Sequence, residues 1–272
     1  MNESAQARAI DVEGRRLAWR SIGHGSALLL VNGYAAGAAD WDPQMLSALG
    51  RSFEVICPDN RGIGESELGD LGAPLTIDGM AADLEALLDA LEIESAPVAG
   101  WSMGGFVVQR LVARVPQRVT ALALLSTDPG GSASMPADPE VWARLIDHSG
   151  TPREQAARLI SLLFPPNVAP GIDEEFGDVV AAARTQLSPT TLLAQEAAMA
   201  AWHAEDQPRP SDSLPVLIAH GNEDVVIPPE NADALTALWP GCRVERFAGG
   251  GHAFMAQEPK RVADLVASFL RG

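Results

Sequence analysis

Apolar and polar residues change their spacing several times along this chain, and each change marks an element. Residues 7–12 and 15–21 alternate on either side of Glu13-Gly14, so the chain opens on an antiparallel hairpin. Short runs that are apolar almost throughout then recur near 27–31, 53–57, 96–99, 119–126, 215–220 and 242–247. Runs of that length fit strands buried on both faces. Between them the period lengthens. Met80, Leu84, Leu87, Leu88 and Leu91 fall on one stripe of a helix over 77–91, and 105–112 and 259–270 also read as helices. Strand alternating with helix predicts an α/β fold, with a mostly parallel sheet covered on both faces. In such sheets reactive groups gather beyond the strand C-termini.

The rhythm breaks between Gly131 and Ser213, where only Ala-rich helical patterns occur. Helices are expected to start near Asp138, Thr151, Asp173 and Pro189. Thr151-Pro152-Arg153-Glu154 carries a capping threonine and a proline at the first helical position. Trp142, Leu145, Leu162, Phe164, Met199 and Trp202 are the apolar residues of this stretch expected to face inward.

At 272 residues the chain is long enough for one large core. Its 36 acidic and 19 basic residues give a net charge of −17, which argues against nucleic acid and anionic membrane surfaces as partners. Cys57 and Cys242 belong to separate strands of the expected sheet, so no disulfide is expected and a reducing compartment fits. The first six residues lack the pattern of a secretory signal, and no run of about 18 apolar residues is long enough to span a membrane. The expectation is a cytoplasmic protein acting on a small molecule, and a homodimer is compatible with it.

Candidate chemistry centres on Gly100-Trp101-Ser102-Met103-Gly104. It lies between an apolar run and a helical pattern, the context that mounts a nucleophilic serine on a sharp strand-to-helix turn. A serine hydroxyl needs a base, and the base needs an orienting acid. Asp224, at the end of the run 214–219 and its polar turn, is the acid candidate. His252, after Gly249-Gly250-Gly251, is the base candidate. The backbone N–H of Met103 is one expected oxyanion donor. Metal spacing is poor: His220, Glu223 and Asp224 lack a further ligand with a recognisable signature. Gly62-Ile63-Gly64 is no dinucleotide fingerprint, because Glu67 stands where the third glycine belongs. No P-loop occurs either. That segment reads as a turn braced by Asp59 and Arg61, and neither metal nor cofactor is expected.

Together, Val31-Asn32-Gly33-Tyr34, Pro58 to Ser66, Gly100 to Gly105, His220-Gly221-Asn222-Glu223-Asp224 and Gly251-His252 resemble the α/β-hydrolase fold superfamily, in family order over nearly the whole chain. The form Gly-Trp-Ser-Met-Gly-Gly is similar to that of small-molecule esterases, cofactor-free haloperoxidase-like perhydrolases, and enol-lactone and carbon–carbon bond hydrolases. The resemblance implies a mostly parallel eight-stranded sheet with flanking helices and a helical cap inserted after strand 6. The core would be 1–131 and 214–272, and the cap 132–213. It places the second oxyanion donor on the N–H of Tyr34, and Asn32-Gly33 stands where relatives often carry His-Gly. Some relatives put the acid after the sixth strand, so Asp128 competes with Asp224. The expected activity is cleavage of a small, uncharged or weakly polar ester, lactone or thioester through an acyl-enzyme on Ser102. Trp101, Trp142, Phe164 and Trp202 are expected to contact substrate. A carbon–carbon bond hydrolase or perhydrolase would use the same three residues, and a silent ligand receptor would keep the fold without turnover. A serine rather than an aspartate at 102 argues against epoxide hydrolysis and dehalogenation.

Overall fold

The computed structural model describes residues 7–70, 72–207 and 214–272. The first six residues, on which the reading of secretion rests, and 208–213, the end of the expected insertion, lie outside the described residues. The opening hairpin pairs β1 (Arg8–Val12) with β2 (Arg15–Gly23). Its two-residue connection holds Glu13 at φ 54° and Gly14 at φ 77°. Positive φ at both central positions matches the twist of a tight hairpin turn.

The elements that follow are β3 (Ala27–Val31), α1 (Pro43–Leu49), β4 (Glu54–Pro58), α2 (Ile77–Ala90), β5 (Ala96–Trp101), α3 (Met103–Arg114) and β6 (Val119–Leu125). Then come α4 (Pro139–Leu145), α5 (Pro152–Leu163), α6 (Ala169–Arg184) and α7 (Pro189–Ala204). The chain closes with β7 (Val216–Gly221), α8 (Glu230–Leu238), β8 (Arg243–Phe247), α9 (Phe254–Gln257) and α10 (Pro259–Leu270). Eight strands form one sheet in the order β1-β2-β4-β3-β5-β6-β7-β8. β3 to β8 are parallel, and β1 and β2 add an antiparallel edge.

Burial on both faces explains the unbroken apolar runs. Leu29, Val31, Val98, Leu122, Leu124 and Ile218 point to one face, where α2, α3 and α8 pack. Leu28, Leu30, Ala99, Ala123 and Leu217 point to the other, against α1 and α10. Successive side chains of a strand alternate faces, so every position must be apolar when both faces are covered. Because β3 to β8 run the same way, the segments that leave β3, β5, β6, β7 and β8 all emerge at one edge. That edge carries Tyr34, Ser102, Asp128, Asp224 and His252.

Two helix starts in the insertion, those of α4 and α5, follow their caps. Asp138 accepts from the Glu140 N–H at 2.8 Å, and Thr151 and Glu154 form a reciprocal capping box. One start differs from the sequence reading: α6 begins at Ala169 rather than near Asp173. Pro170 and Gly171 look like a loop, but a proline in the first turn loses no helical hydrogen bond. Val168 and Ile172 are half-buried against the core, and that packing carries the helix back to Ala169.

The turn after β4 also differs in part. Asp59 braces it as expected, accepting from the N–H groups of Ala38 (2.7 Å) and Glu65 (3.1 Å). Arg61 instead reaches α2, where it shares the buried Asp83 carboxylate with Arg15. Two guanidinium groups on one carboxylate outcompete a bond within the turn.

Candidate active site

Ser102 sits between β5 and α3 at φ 54°, ψ −124°, a conformation that L residues rarely adopt. Close packing of bare backbone holds it there. A Cβ on Gly100 would lie 2.4 Å from the Gly104 carbonyl oxygen, and one on Gly104 would lie 2.3 Å from that of Val31. Both contacts are with main chain, so neither neighbour can move aside. The Ser102 N–H donates to the Leu125 carbonyl at 3.0 Å, and the Thr127 hydroxyl donates to the Ser102 carbonyl at 2.8 Å. β6 therefore fixes the turn from its neighbouring position.

Asp224 and His252 meet. Asp224 Oδ2 lies 2.8 Å from His252 Nδ1, and both side chains are buried. Asp224 Oδ1 accepts from the N–H groups of Val226 and Ile227, each at 2.9 Å. His220, buried at the end of β7, donates to the Ile227 carbonyl at 2.9 Å and also lies 3.3 Å from Asp224 Oδ2. Burial alone would raise the Asp224 carboxyl, but the facing His252 and the hydrogen bonds from His220 and His252 win, holding it well below the usual carboxylate range. A carboxylate held on Nδ1 fixes that nitrogen as the donor and leaves Nε2 to face the cavity. Trp101 adds a support that the serine motif alone does not signal: its indole N–H donates to the His252 carbonyl at 2.9 Å. Ser102 and His252 line the same cavity, and no hydrogen bond joins them among the described residues. Such bonds often tighten only when substrate binds.

The loop after β3 is held from several sides. The Asn32 side chain donates to the Gly37 carbonyl at 2.8 Å and accepts from the Gly33 N–H at 2.9 Å. Asn60 donates to the Asn32 carbonyl at 2.9 Å. Gly33 packs directly on Ser102, since a Cβ there would lie 3.1 Å from the serine Cβ. The backbone N–H of Tyr34 has no protein acceptor among the described residues. The Met103 N–H belongs to the first turn of α3, where backbone donors lack helical partners.

Asp128 follows β6 and lines the cavity, but its carboxylate is already engaged. Oδ1 accepts from the Gly130 N–H (2.9 Å), the Ser134 hydroxyl (3.0 Å) and the Trp202 indole (3.1 Å). Oδ2 lies 3.0 Å from His203 Nε2. The histidine that Asp128 orients is therefore His203 of α7, which also lines the cavity.

The cavity has a volume of about 790 Å³ and its walls are mainly apolar. Of the expected substrate contacts, Trp101, Trp142 and Phe164 line it. Trp202 does not. It is buried, stacks on Phe106 at 5.1 Å and spends its N–H on Asp128. A buried indole N–H needs an acceptor, and Asp128 turns the ring into the core. Leu145 and Met199 also line the cavity, whereas Leu162 is core.

Arg184, at the end of α6, was not singled out in the sequence, because a terminal arginine usually faces solvent. It is the one Lys or Arg among the described residues lining the cavity. Its Nε is buried without a hydrogen-bond partner, and its Nη2 lies 3.4 Å from His148 Nδ1. Burial works against its charge. Among the described residues, no group of three or more His, Cys, Asp or Glu is arranged to hold a metal ion. Cys57 and Cys242 are free thiols.

A family model for the alpha/beta hydrolase fold matches residues 26–259. The chain belongs to that family, and its activity class is that of a hydrolase. It is 30% identical over 280 residues to an uncharacterized protein of Mycobacterium tuberculosis, covering 95% of this chain and 79% of that protein. It is 29% identical over 284 residues to the 2-hydroxymuconate semialdehyde hydrolase of a Pseudomonas species, covering 99% and 95%. A crystal structure of a hydrolase from Pseudomonas aeruginosa superposes with a TM-score of 0.83 at 26% identity, covering 99% of this chain and all of that one. No helix among the described residues is long and apolar enough to cross a membrane.

Proposed function

We propose that the chain is a serine hydrolase that cleaves a small-molecule carboxylic ester, lactone or thioester through an acyl-enzyme on Ser102. The observation that carries this reading is the 2.8 Å Asp224–His252 pair facing the cavity whose wall holds a serine in a left-handed turn. His252 Nε2 takes the Ser102 proton as Oγ attacks the carbonyl carbon, and the carbonyl electron pair moves onto oxygen. The N–H groups of Tyr34 and Met103 receive that oxyanion. His252 then returns the proton to the leaving group. Water, deprotonated by His252, releases the acid. Asp224 holds the imidazole tautomer and stabilises the imidazolium. Residues 132–213 act as a cap that excludes bulk water from Ser102.

The test is hydrolysis of a p-nitrophenyl ester series, from acetate to decanoate, by the wild type and Ser102→Ala. Turnover lost in a folded Ser102→Ala, with an acyl adduct of matching mass on the wild type, supports the reading. Equal turnover by the two proteins refutes it.

Arg184 favours a second reading, carbon–carbon bond hydrolysis of a substrate that carries a carboxylate. An arginine that forms no salt bridge among the described residues, on a mostly apolar wall, suits an anionic ligand, and one relative acts on 2-hydroxymuconate semialdehyde. Arg184→Met should cut kcat/KM for such an anion at least tenfold, the cost of about one charge-assisted hydrogen bond. It should leave neutral esters within about twofold. Equal effects on both substrate classes exclude the anion reading.

A further inference from the structure

We propose that Gln195 and Glu196, adjacent residues of α7, are positioning residues for the oxyanion hole. The inference rests on the reading of Ser102 as an acylating nucleophile. α7 grips the loop after β3 at two points directly after the Gly33–Tyr34 peptide, the one that carries the Tyr34 N–H. Gln195 Oε1 accepts from the Ala35 N–H at 3.0 Å. Glu196 Oε1 accepts from the Tyr34 hydroxyl at 2.6 Å. Immediately before these two anchors stands the Tyr34 N–H, which has no protein acceptor among the described residues.

The loop needs such a grip. Ala35 stands at φ 57°, a left-handed conformation that alanine seldom adopts. A backbone left alone would relax out of it, and the Tyr34–Ala35 segment would turn with it. Gln195 opposes that relaxation. It is fully buried, and its other end donates to the Arg61 carbonyl at 3.4 Å. Glu196 is held in turn by His148 Nε2 at 2.7 Å.

α7 can act as a clamp because it is itself fixed to the sheet. Thr191 lies against Gly62, where a Cβ would approach the threonine hydroxyl to 2.5 Å. At the other end of the helix, Trp202 donates to Asp128 at 3.1 Å. The oxyanion donor is thus set by a helix of the insertion as well as by the strand that precedes it. A displacement of about 1 Å at a catalytic group can cost on the order of a hundredfold in rate. A partial loosening should therefore be visible in kcat.

The test reads the oxyanion directly. A long-chain alkyl trifluoromethyl ketone accepts Ser102 Oγ at its carbonyl carbon. The serine proton passes to His252 and the carbonyl electron pair stays on oxygen as the oxyanion, so inhibitor affinity reports the hole. Gln195→Met and Tyr34→Phe each remove one anchor and keep the Tyr34 N–H. Each should weaken ketone binding about tenfold and lower kcat on p-nitrophenyl acetate in parallel, with KM within about twofold. Glu196→Gln keeps an acceptor for the Tyr34 hydroxyl and should stay within about threefold of wild type. A residue that merely glues the helix would change melting temperature or KM and leave ketone affinity alone. Ketone affinity within twofold of wild type in both Gln195→Met and Tyr34→Phe overturns the proposal. If Gln195→Met does not fold, Tyr34→Phe decides by itself. A wild type that neither binds the ketone nor is labelled at Ser102 by a fluorophosphonate overturns the acyl-enzyme reading, and this inference with it.

Discussion

In the proposed mechanism Asp224 is the triad carboxylate, and Asp224→Asn separates the two roles that such a group combines. In the wild type, Oδ1 holds the Val226 and Ile227 N–H groups, while Oδ2 accepts from His252 Nδ1 at 2.8 Å. Asparagine can keep its oxygen on the two backbone donors, so the turn after β7 survives. Its NH₂ then faces Nδ1 and must donate, which forces the proton of the imidazole onto Nε2. In that tautomer Nε2 cannot accept from Ser102. An exchange of this kind lowers kcat by about 10⁴ in a serine protease, or about 5.4 kcal/mol at 1.36 kcal/mol per tenfold. The rate of Ser102 labelling by a fluorophosphonate, followed by intact mass, measures this without knowledge of the substrate. Asp128→Asn is the control, because its carboxylate serves His203, Trp202 and Ser134; it should stay within about tenfold of wild type. Labelling of Asp224→Asn within tenfold of wild type, or a larger loss in Asp128→Asn, would refute the assignment of the acid. The same variant carries a pH signature. The Asp224 carboxyl is depressed in the folded state, so its contribution to stability is full above the unfolded value of about 3.9. It is lost as pH falls through the lower folded value. The melting-temperature gap between wild type and Asp224→Asn should therefore narrow below about pH 4.

Gly104→Ala should destabilise by about 3 kcal/mol, because its Cβ would meet the Val31 carbonyl at 2.3 Å; chemical denaturation measures this, and near-wild-type stability would contradict the packing described. Trp101→Phe removes the donor to the His252 carbonyl. It should cost about 1 kcal/mol, seen as roughly fivefold slower Ser102 labelling. Burial and the nearby Asp59 push the Cys57 thiol up to about 12, whereas Cys242 is only half-buried. A thiol reagent at pH 8 should therefore titrate one cysteine quickly in the native protein and the second only on unfolding.

The parallel strands were legible because burial on two faces leaves a simple mark, an unbroken apolar run such as Leu28 to Val31. The sharp turn at Ser102 was legible because bare backbone contacts at Gly100 and Gly104 admit no side chain. What the sequence hid depends on contacts between distant segments. Nothing local to Trp202 says that Asp128 will take its N–H and turn the ring away from the cavity. Nothing local to Arg61 says that Asp83, on a helix further along, will outcompete Asp59. The early start of α6 was hidden for the opposite reason. Pro170-Gly171 is a local loop signal, and packing of Val168 and Ile172 overrode it. Gln195 and Glu196 lie within an ordinary helical pattern, and only the fold brings them to Tyr34 and Ala35.

The helices of the insertion are not attached alike. α7 is bonded to the sheet edge at several points, whereas α5 and α6 pack chiefly on each other, tied by Arg153 and Asp173 at 2.7 Å. Leu159, Leu163, Ile172 and Phe176 bring that pair to the cavity wall. Substitutions along α5 and α6 can thus reshape the chamber while the bonds that α7 makes to the loop after β3 stay in place. If the proposed function and the inferred role of α7 hold, substrate preference and catalytic competence are written on different helices, so one can drift over evolutionary time, or be redesigned, while the other is kept.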